Sequence, residues 1–272
     1  AVAKIGNDFS IAIYDVTTPG VLTPIATLPL PNDNPTFGAG VFVRTPHIYV
    51  TGNSLHVLDL DAPGGPQFVG VVNPPELLIG QYLQVWENLA VAATLGNSGS
   101  EISVFDVSNP QSPAFLGAAA ADLGGSLTGV AIGSGVAYLS TTTNIAAFSL
   151  ADPAQPFLAY QLGVAASAIS LTGTTLVVER NLLSVPPTPL EIRLYFVPDP
   201  LTAILMSAYT EQVFAPRGID ARRDRLAVFD DSGHQSHVSL LDISDPQNPV
   251  EIDRVLTNAR CEFLSLTPDR IW

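Results

Sequence analysis

The sequence predicts an all-β protein built from one repeat that occurs six times, and three observations support this. An apolar stretch that ends at an aspartate site, with a proline four positions later, occurs six times in the 272 residues. Apolar residues alternate with polar ones over short runs bounded by Gly, Pro, Asn and Asp, which is typical of antiparallel strands. No stretch shows a sustained 3.6-residue period with helix caps. Six repeats of four short strands each predict a six-bladed β-propeller.

Each repeat is anchored at its aspartate site and follows one order of elements. The anchors are Asp15, Asp59, Asp106, Ser149, Phe196 and Asp242. They are 44, 47, 43, 47 and 46 residues apart, and a four-stranded propeller blade takes about 40–45 residues. After the proline comes an apolar stretch such as PAFLGAA (113–119), then one such as GVAI (129–132), and a tight turn leads into VAYL (136–139). We therefore expect four strands in every repeat.

The spacing also predicts that the ring closes. The interval from Asp242 through the C-terminus and on from Ala1 to Asp15 is 45 residues, which matches the internal spacing. The N-terminal segment parallels residues 90–107, and the C-terminal DRIW parallels residues 224–228. We therefore expect residues 1–272 to form a single propeller whose ring is closed by strands from both termini. An open solenoid of six repeats is the alternative.

The repeat motif resembles a known family. The pattern D-[VIL]-[STD]-x-P, often with a second proline seven positions after the aspartate site, resembles the LVIVD-repeat family of β-propellers, and FDVSNPQSP (105–113) and LDISDPQNP (241–249) are its closest copies. The second proline is missing from repeats one and five, and the aspartate from repeats four and five. The resemblance implies an exported or cell-surface propeller of bacteria or archaea. Because Asp caps turn amides and Pro presets φ, we expect the motif to be structural rather than catalytic.

Charge and composition exclude several classes of partner. The chain has 25 Asp and Glu against 11 Lys and Arg, a formal net charge of −14. Such a surface repels phosphate backbones and anionic lipid, so we expect no nucleic acid and no membrane docking. No run of 18 apolar residues predicts a transmembrane helix. The single cysteine, Cys261, excludes an internal disulfide and a cysteine-based zinc site.

Ligands of propellers usually meet the central channel where the innermost strand of each blade begins. Arg217, Arg260 and Glu262 lie at such positions. They are suited to bind a small anion or the carboxylate of a partner, or they pair with one another. A metal-dependent hydrolase would need several carboxylates at this position, and only Glu262 and Asp220 are placed for that. The predicted channel-mouth residues are Gln81, Thr128, Ser167, Arg217, Arg260 and Glu262.

A second candidate site is the pair His234 and His237 in the segment DDSGHQSH (230–237). Two imidazoles beside carboxylates suit a divalent metal. A solvated loop is the alternative, because a loop lacks the helical geometry that brings such a pair together. No other cofactor is predicted.

Two functions remain open. The first is a non-catalytic protein–protein interaction or structural module, exported or at the cell surface, acting as a subunit of a larger assembly. The missing catalytic constellation favours it over an enzyme, and the low lysine content suits packed interfaces. The alternative is a small-ligand-binding protein or metal-dependent hydrolase with its site at the channel mouth. Ala1 begins within a predicted strand, so we expect either a removed signal peptide or a longer parent chain.

Overall fold

The computed structural model describes residues 2–5, 10–15, 18, 21, 23–30, 40–75, 80–96, 99–181, 188–199, 201–213, 216–231 and 236–257. These residues form 23 β-strands. None of them form a helix of the length and hydropathy needed to cross a membrane. The described part of the chain is therefore all-β, as the alternating pattern predicts.

Successive strands pair antiparallel into six separate sheets. The first sheet contains β1 (Val2–Ile5), β2 (Ser10–Asp15) and β3 (Thr23–Pro29). The second contains β4 (Val41–Arg44), β5 (His47–Thr51), β6 (Leu55–Asp59) and β7 (Gln67–Val72). The third contains β8 (Gly80–Trp86), β9 (Leu89–Gly96), β10 (Gly99–Asp106) and β11 (Ala114–Ala121). The fourth contains β12 (Leu127–Gly133), β13 (Val136–Thr141), β14 (Ile145–Ser149) and β15 (Phe157–Gln161). The fifth contains β16 (Ala168–Thr172), β17 (Thr175–Asn181), β18 (Thr188–Asp199) and β19 (Thr202–Val213). The sixth contains β20 (Pro216–Arg222), β21 (Arg225–Asp231), β22 (Ser236–Asp242) and β23 (Val250–Thr257).

The prediction of four-stranded antiparallel blades is confirmed for five sheets, whereas the first sheet has three strands among the described residues. The C-terminal strand that we expected to complete it falls at residues 258–272, which lie outside the described residues. Closure of a six-bladed ring by both termini therefore stays a prediction. So does a single domain over residues 1–272, because the chain divides into two compact units, Ala1–Asp122 with Leu150–Leu158, and Leu123–Ser149 with Ala159–Trp272.

Within each compact unit the sheets pack face to face, with their first strands side by side. In the first, β4 lies beside β8; in the second, β16 lies between β12 and β20. The alternating apolar residues of facing sheets fill the space between them. One such core contains Tyr138, Ile145, Ile169, Leu176 and Tyr195, from the fourth and fifth sheets. Sheets stacked in this way are the blades of a β-propeller, with the first strand of each sheet innermost.

The aspartates of the repeat motif build turns. The side chain of Asp106 accepts a hydrogen bond from the backbone amide of Ser108 at 2.8 Å, and Asp242 accepts one from Ser244 at 2.9 Å. These Asx turns begin the loop between the third and fourth strands of a sheet. The expected structural role of the motif is confirmed by these bonds.

Three of these loops, called here Asp–Pro loops, also pack against the last strand of the preceding sheet. A Cβ atom on Gly117 of β11 would lie 2.6 Å from the carbonyl oxygen of Ala154. The equivalent glycine on β7, Gly70, faces the carbonyl oxygen of Pro110 in the same way. At the matching position of β19, the hydroxyl of Ser207 donates to the carbonyl oxygen of Pro246 at 2.6 Å. The motif therefore links neighbouring sheets in each compact unit.

Candidate functional site

Three predicted channel-mouth residues lie on β-bulges, each at the start of an innermost strand. They are Gln81 on β8, Thr128 on β12 and Arg217 on β20. The register shifts fall between Gly80 and Tyr82, between Leu127 and Gly129, and between Pro216 and Gly218. A bulge redirects one side chain out of the ladder, and bulges are over-represented next to functional sites. The side chains of Gln81 and Arg217 lie outside what the structure describes.

The side chain of Thr128 is held by a buried hydroxyl on the neighbouring strand. Ser140 of β13 is fully buried and donates to the carbonyl oxygen of Gly129 at 3.3 Å. Its oxygen lies 2.9 Å from the hydroxyl oxygen of Thr128. Because Ser140 has one proton and gives it to Gly129, Thr128 is the donor in the second bond. The hydroxyl of Thr128 is therefore held by Ser140 on the neighbouring strand, while its bulged backbone lies at the sheet edge.

Ser167 occupies the corresponding place just before β16, and it binds a buried carboxyl group. Its amide donates to the carbonyl oxygen of Glu179 at 2.8 Å, and its hydroxyl lies 3.0 Å from Oε1 of the Glu179 side chain. Glu179 is only 1% exposed, and among the described residues its Oε2 has no hydrogen-bond partner. Burial raises the pKa of Glu179 to about 7, although the bond from Ser167 opposes that shift. Near neutral pH this carboxyl is therefore present in both protonation states.

Sequence reasoning missed Glu179, although one signal marks it. It directly follows the apolar run LVV (176–178), at the fifth position of the second strand of its sheet. In the second sheet this position holds Thr51, whose hydroxyl accepts from the amide of Gly40 at 3.1 Å. The same position holds Thr51, Ala93, Ser140, Glu179 and Phe229 in sheets two to six. The other four sheets have a hydroxyl or an apolar side chain at this position, so the fold does not require a carboxyl there. Glu179 is the exception among the five residues.

The two strand starts, at Thr128 and Ser167, are close neighbours within the second compact unit. The amide of Ala166, one residue before Ser167, donates to the carbonyl oxygen of Thr141 at 3.1 Å. On the other side of β16, the amide of Ala221 on β20 donates to the hydroxyl of Ser170 at 2.9 Å. Arg217 is the second residue of that adjoining strand. The name strand-start site is used below for four residues, Thr128, Ser140, Ser167 and Glu179.

An ion-pair cluster lies on the strands next to Glu179. The carboxylate of Glu191 on β18 accepts hydrogen bonds from Nε of Arg193 at 3.0 Å and from NH2 of the same residue at 3.3 Å. It also forms an ion pair with Arg180. Arg180 follows Glu179 on β17, so the two side chains point to opposite faces of the sheet. These arginines are therefore engaged with Glu191 rather than with Glu179.

Of the remaining predicted site residues, only His237 lies within the described part of the chain. Arg260, Glu262 and His234 lie outside the described residues. His237 is half-buried on β22, where Asp230 of β21 is its backbone partner. Across the described ranges, no three His, Cys, Asp or Glu side chains group together in a way that suits a metal ion. The proposed metal site at His234 and His237 stays a prediction.

Exposed apolar side chains concentrate on the last strand of several sheets. They are Ile25 on β3, Val71 on β7, Phe157 and Leu158 on β15, Ile204 and Leu205 on β19, and Val250, Ile252, Val255 and Leu256 on β23. β23 is the extreme case, since Leu256 is 67% exposed and Val250 57%. The outer edge of these strands carries the unpaired amides and carbonyls of a sheet edge.

Comparisons with known proteins agree with the fold. A protein of unknown function from Desulfotomaculum acetoxidans DSM 771 superposes with a TM-score of 0.69 at 14% identity, over 91% of this chain and 76% of that one. A protein proposed to be a 6-phosphogluconolactonase, from Bacteroides uniformis ATCC 8492, gives 0.63 at 14% identity, over 96% and 82%. Sqt1 of Chaetomium thermophilum, bound to the N-terminus of the ribosomal protein L10, gives 0.56 at 12% identity, over 91% and 68%.

At the sequence level, no curated protein matches this chain. The family described as LVIVD repeat matches residues 237–257, which cover β22, its Asp–Pro loop and β23. This segment includes LDISDPQNP (241–249), one of the two copies on which the resemblance was based. The chain is a β-propeller that carries an LVIVD repeat.

Proposed function

We propose that the chain is a non-catalytic interaction module that binds a partner protein at the last strand of a blade. The observation that carries this proposal is the exposure of Val250, Ile252, Val255 and Leu256 on β23. Exposed apolar side chains on a long edge strand favour aggregation, and proteins normally cover such a strand or interrupt it with charges. β23 carries Glu251, Asp253 and Arg254 between its apolar residues, yet four apolar side chains stay exposed on it. A partner that covers β23 would explain why the sequence keeps these apolar side chains on an edge strand.

The occupant that fits β23 is an extended, basic segment of another protein. An extended segment pairs with the free edge of a strand through main-chain hydrogen bonds, and its alternate side chains contact the apolar residues. The formal net charge of −14 attracts cationic partners and repels a second copy of the chain. The Sqt1 structure, in which a similar fold binds the N-terminus of another protein, supports a binding role for this architecture.

We further propose that the protein acts outside the cytoplasm. The LVIVD repeat supports this location, because proteins with this repeat are often secreted. Fractionation of the source cells, followed by detection of the chain with an antibody, tests the proposal. Recovery in the cytoplasmic fraction alone would contradict it.

The interaction proposal is tested with two matched variants. Val255 on β23 and Val21 outside the strands are both 49% exposed, so Val255→Asp and Val21→Asp add the same charge at equal exposure. Crosslinking in source extract identifies partners, and a synthetic peptide from the partner's basic segment is then titrated against each purified chain. We expect Val255→Asp to weaken peptide binding at least ~10-fold and Val21→Asp to leave it unchanged. A chain that is free and monomeric in its source contradicts the proposal.

A second candidate function is a small-ligand-binding protein or hydrolase that uses the strand-start site. It is favoured by the unpaired oxygen of Glu179 and by the bulges at Thr128 and Arg217. The likeness to a proposed 6-phosphogluconolactonase supports the fold of such an enzyme. Hydrolysis of a lactone by the purified chain that stops when a chelator is added would support the metal-dependent form.

A further inference from the structure

We propose that the strand-start site binds a neutral polyhydroxylated compound, a sugar or cyclic polyol, and that the carboxyl group of Glu179 recognises one of its hydroxyls. This site is separate from β23 and does not depend on the interaction proposed there.

The first step is the unsatisfied atom. Glu179 is 1% exposed and accepts one side-chain hydrogen bond, from Ser167 to Oε1, while Oε2 has no partner among the described residues. Nearly all buried polar atoms in folded proteins are hydrogen-bonded, because an unpaired one loses its bonds to water without replacement. At the same strand position, the hydroxyls of Thr51 and Ser140 are bonded within their own sheets. Oε2 therefore requires a donor or acceptor from outside the sheet.

The second step is the direction of the carboxyl group. On the neighbouring sheet, Ser140 reaches the residue at the start of the innermost strand, Thr128. Glu179 reaches the equivalent residue, Ser167, from the equivalent position on its own second strand. The carboxyl thus lies beneath the start of β16, next to the bulged start of β12. Oε2 belongs to the same carboxyl whose Oε1 bonds Ser167, so we expect a ligand at these strand starts to reach Oε2 together with the hydroxyls of Ser167 and Thr128.

The third step is the class of ligand. In register, Glu179 lies between Ala168 of β16 and Ile192 of β18, which are both apolar. On the same strand and on β18, Arg180 and Arg193 are engaged with Glu191. A buried carboxyl without a counter-ion is most stable when it holds a proton. The charged residues of the adjoining strand β20, in chain order, are Arg217, Asp220 and Arg222.

A protonated carboxyl and two hydroxyls are all neutral. Thr128 donates to Ser140 and Ser167 donates to Glu179, so both hydroxyls can accept from a ligand, and the protonated carboxyl can donate to it. Each hydroxyl of a ligand both donates and accepts, so a polyol satisfies these groups without burying a charge. A cationic ligand would have to lose its hydration beside one carboxylate, and an anionic ligand would be repelled by the ionised form. These costs favour the neutral compound.

The test uses the full chain and named probes. D-glucose, D-galactose and myo-inositol are titrated at about pH 6, below the raised pKa of the carboxyl, by calorimetry, with methylammonium and acetate as charged controls. We expect at least one neutral probe to bind, and neither control. Glu179→Gln keeps a neutral donor and acceptor of the same shape and should retain binding within about 3-fold, whereas Glu179→Leu should weaken it at least ~10-fold. Binding of methylammonium instead, or no binding by any neutral probe, would overturn the proposal.

Two further measurements separate recognition from folding. The infrared band of the protonated carboxyl is absent in Glu179→Gln and should shift when the neutral probe binds the wild type, which a merely structural carboxyl would not show. Ser167→Ala, which removes the one side-chain bond to Glu179, should weaken binding while the chain stays folded. If the protonated-carboxyl band is missing from the wild type and appears in Arg217→Gln, Glu179 is ionised and paired with Arg217, which would overturn the inference.

Discussion

The Asp–Pro loops and the strand-start site both place carboxyl groups at the ends of strands, yet they treat them in opposite ways. Asp242 accepts from the amide of Ser244 at 2.9 Å and pairs with Arg225 at 2.6 Å. Bonds from Ser244 and Arg225 lower the pKa of Asp242 to about 2. Glu179 has one side-chain bond, and burial raises its pKa to about 7. The carboxylate of Asp242 therefore has hydrogen-bond and ion-pair partners within the fold, whereas one of the two oxygens of Glu179 has none among the described residues.

This contrast shows where function is to be sought in this protein. A motif that recurs along the chain, and whose aspartates bond the amides of their own turns, is part of the scaffold. A carboxyl that occurs at one of five equivalent positions, and that leaves an oxygen unpaired, is not explained by the repeat, and it is the basis of the ligand site proposed above. The repeated motif therefore informs about the scaffold, and the residue that departs from the repeat, Glu179, indicates where to look for a ligand.

The strongest test of the contrast is the pH dependence of stability. The native pKa of Glu179 is about 7 and its ordinary value is 4.5, so the native state keeps a proton that the unfolded state has released between these values. The free energy of unfolding should therefore fall as pH rises from 4.5 to 7. We expect a fall of roughly 3 kcal/mol, with no further change at higher pH.

Glu179→Gln is the matched control, since glutamine does not titrate. Urea unfolding of both chains across the interval between the two pKa values isolates the contribution of Glu179 as their difference. The wild-type chain should become less stable than the variant as pH rises. Parallel curves for the two chains would mean that Glu179 is ionised and paired in the native state, which would remove the contrast with Asp242.

A weaker perturbation is expected where an Asp–Pro loop packs on the preceding sheet. Gly117→Ala places a Cβ atom 2.6 Å from the carbonyl oxygen of Ala154 and close to Pro156, so backbone must shift. We expect a loss of about 2 kcal/mol in the free energy of unfolding, measured with urea.

The control for this substitution is Ala118→Gly, at the next residue of the same strand, whose side chain is exposed. It removes a methyl group that is exposed to solvent, so its cost of about 0.5–1 kcal/mol reflects mainly backbone entropy. Equal stability of Gly117→Ala and wild type would contradict the packing role of the loop.

The mildest change concerns a single Asx turn. Asp106→Ala removes the acceptor for the amide of Ser108, and we expect a loss of about 1 kcal/mol. Asp106→Asn keeps an oxygen acceptor and should lose less than half of that. Thermal unfolding of the two variants at neutral pH makes the comparison. If Asn is as damaging as Ala, the charge rather than the hydrogen bond stabilises the loop.

The strands and the motif turns could be predicted because both depend on local chemistry. Alternation with a period of two places one face of each strand against a neighbour, and Asp106 and Asp242 bond amides two residues away. Two of the four residues of the strand-start site, Thr128 and Ser167, were chosen from the sequence as strand starts. The structure adds that Thr128, like Gln81 and Arg217, lies on a bulge. Spacing along the chain could not reveal the buried carboxyl beneath a neighbouring strand start, because that placement depends on the pairing of two strands.

Spacing, alternation and turn chemistry act within a few residues, so the repeat, the four-stranded sheets and the structural role of the Asp–Pro motif could all be read from the chain. The packing of the sheets decided that Glu179 is buried, that its Oε2 is unpaired, and that Gly70 and Gly117 face the loop of another sheet. Burial and close approach depend on which sheets lie against one another. They involve residues far apart in the chain, so a pattern along one strand can mark a position such as Glu179 but cannot reveal its partners.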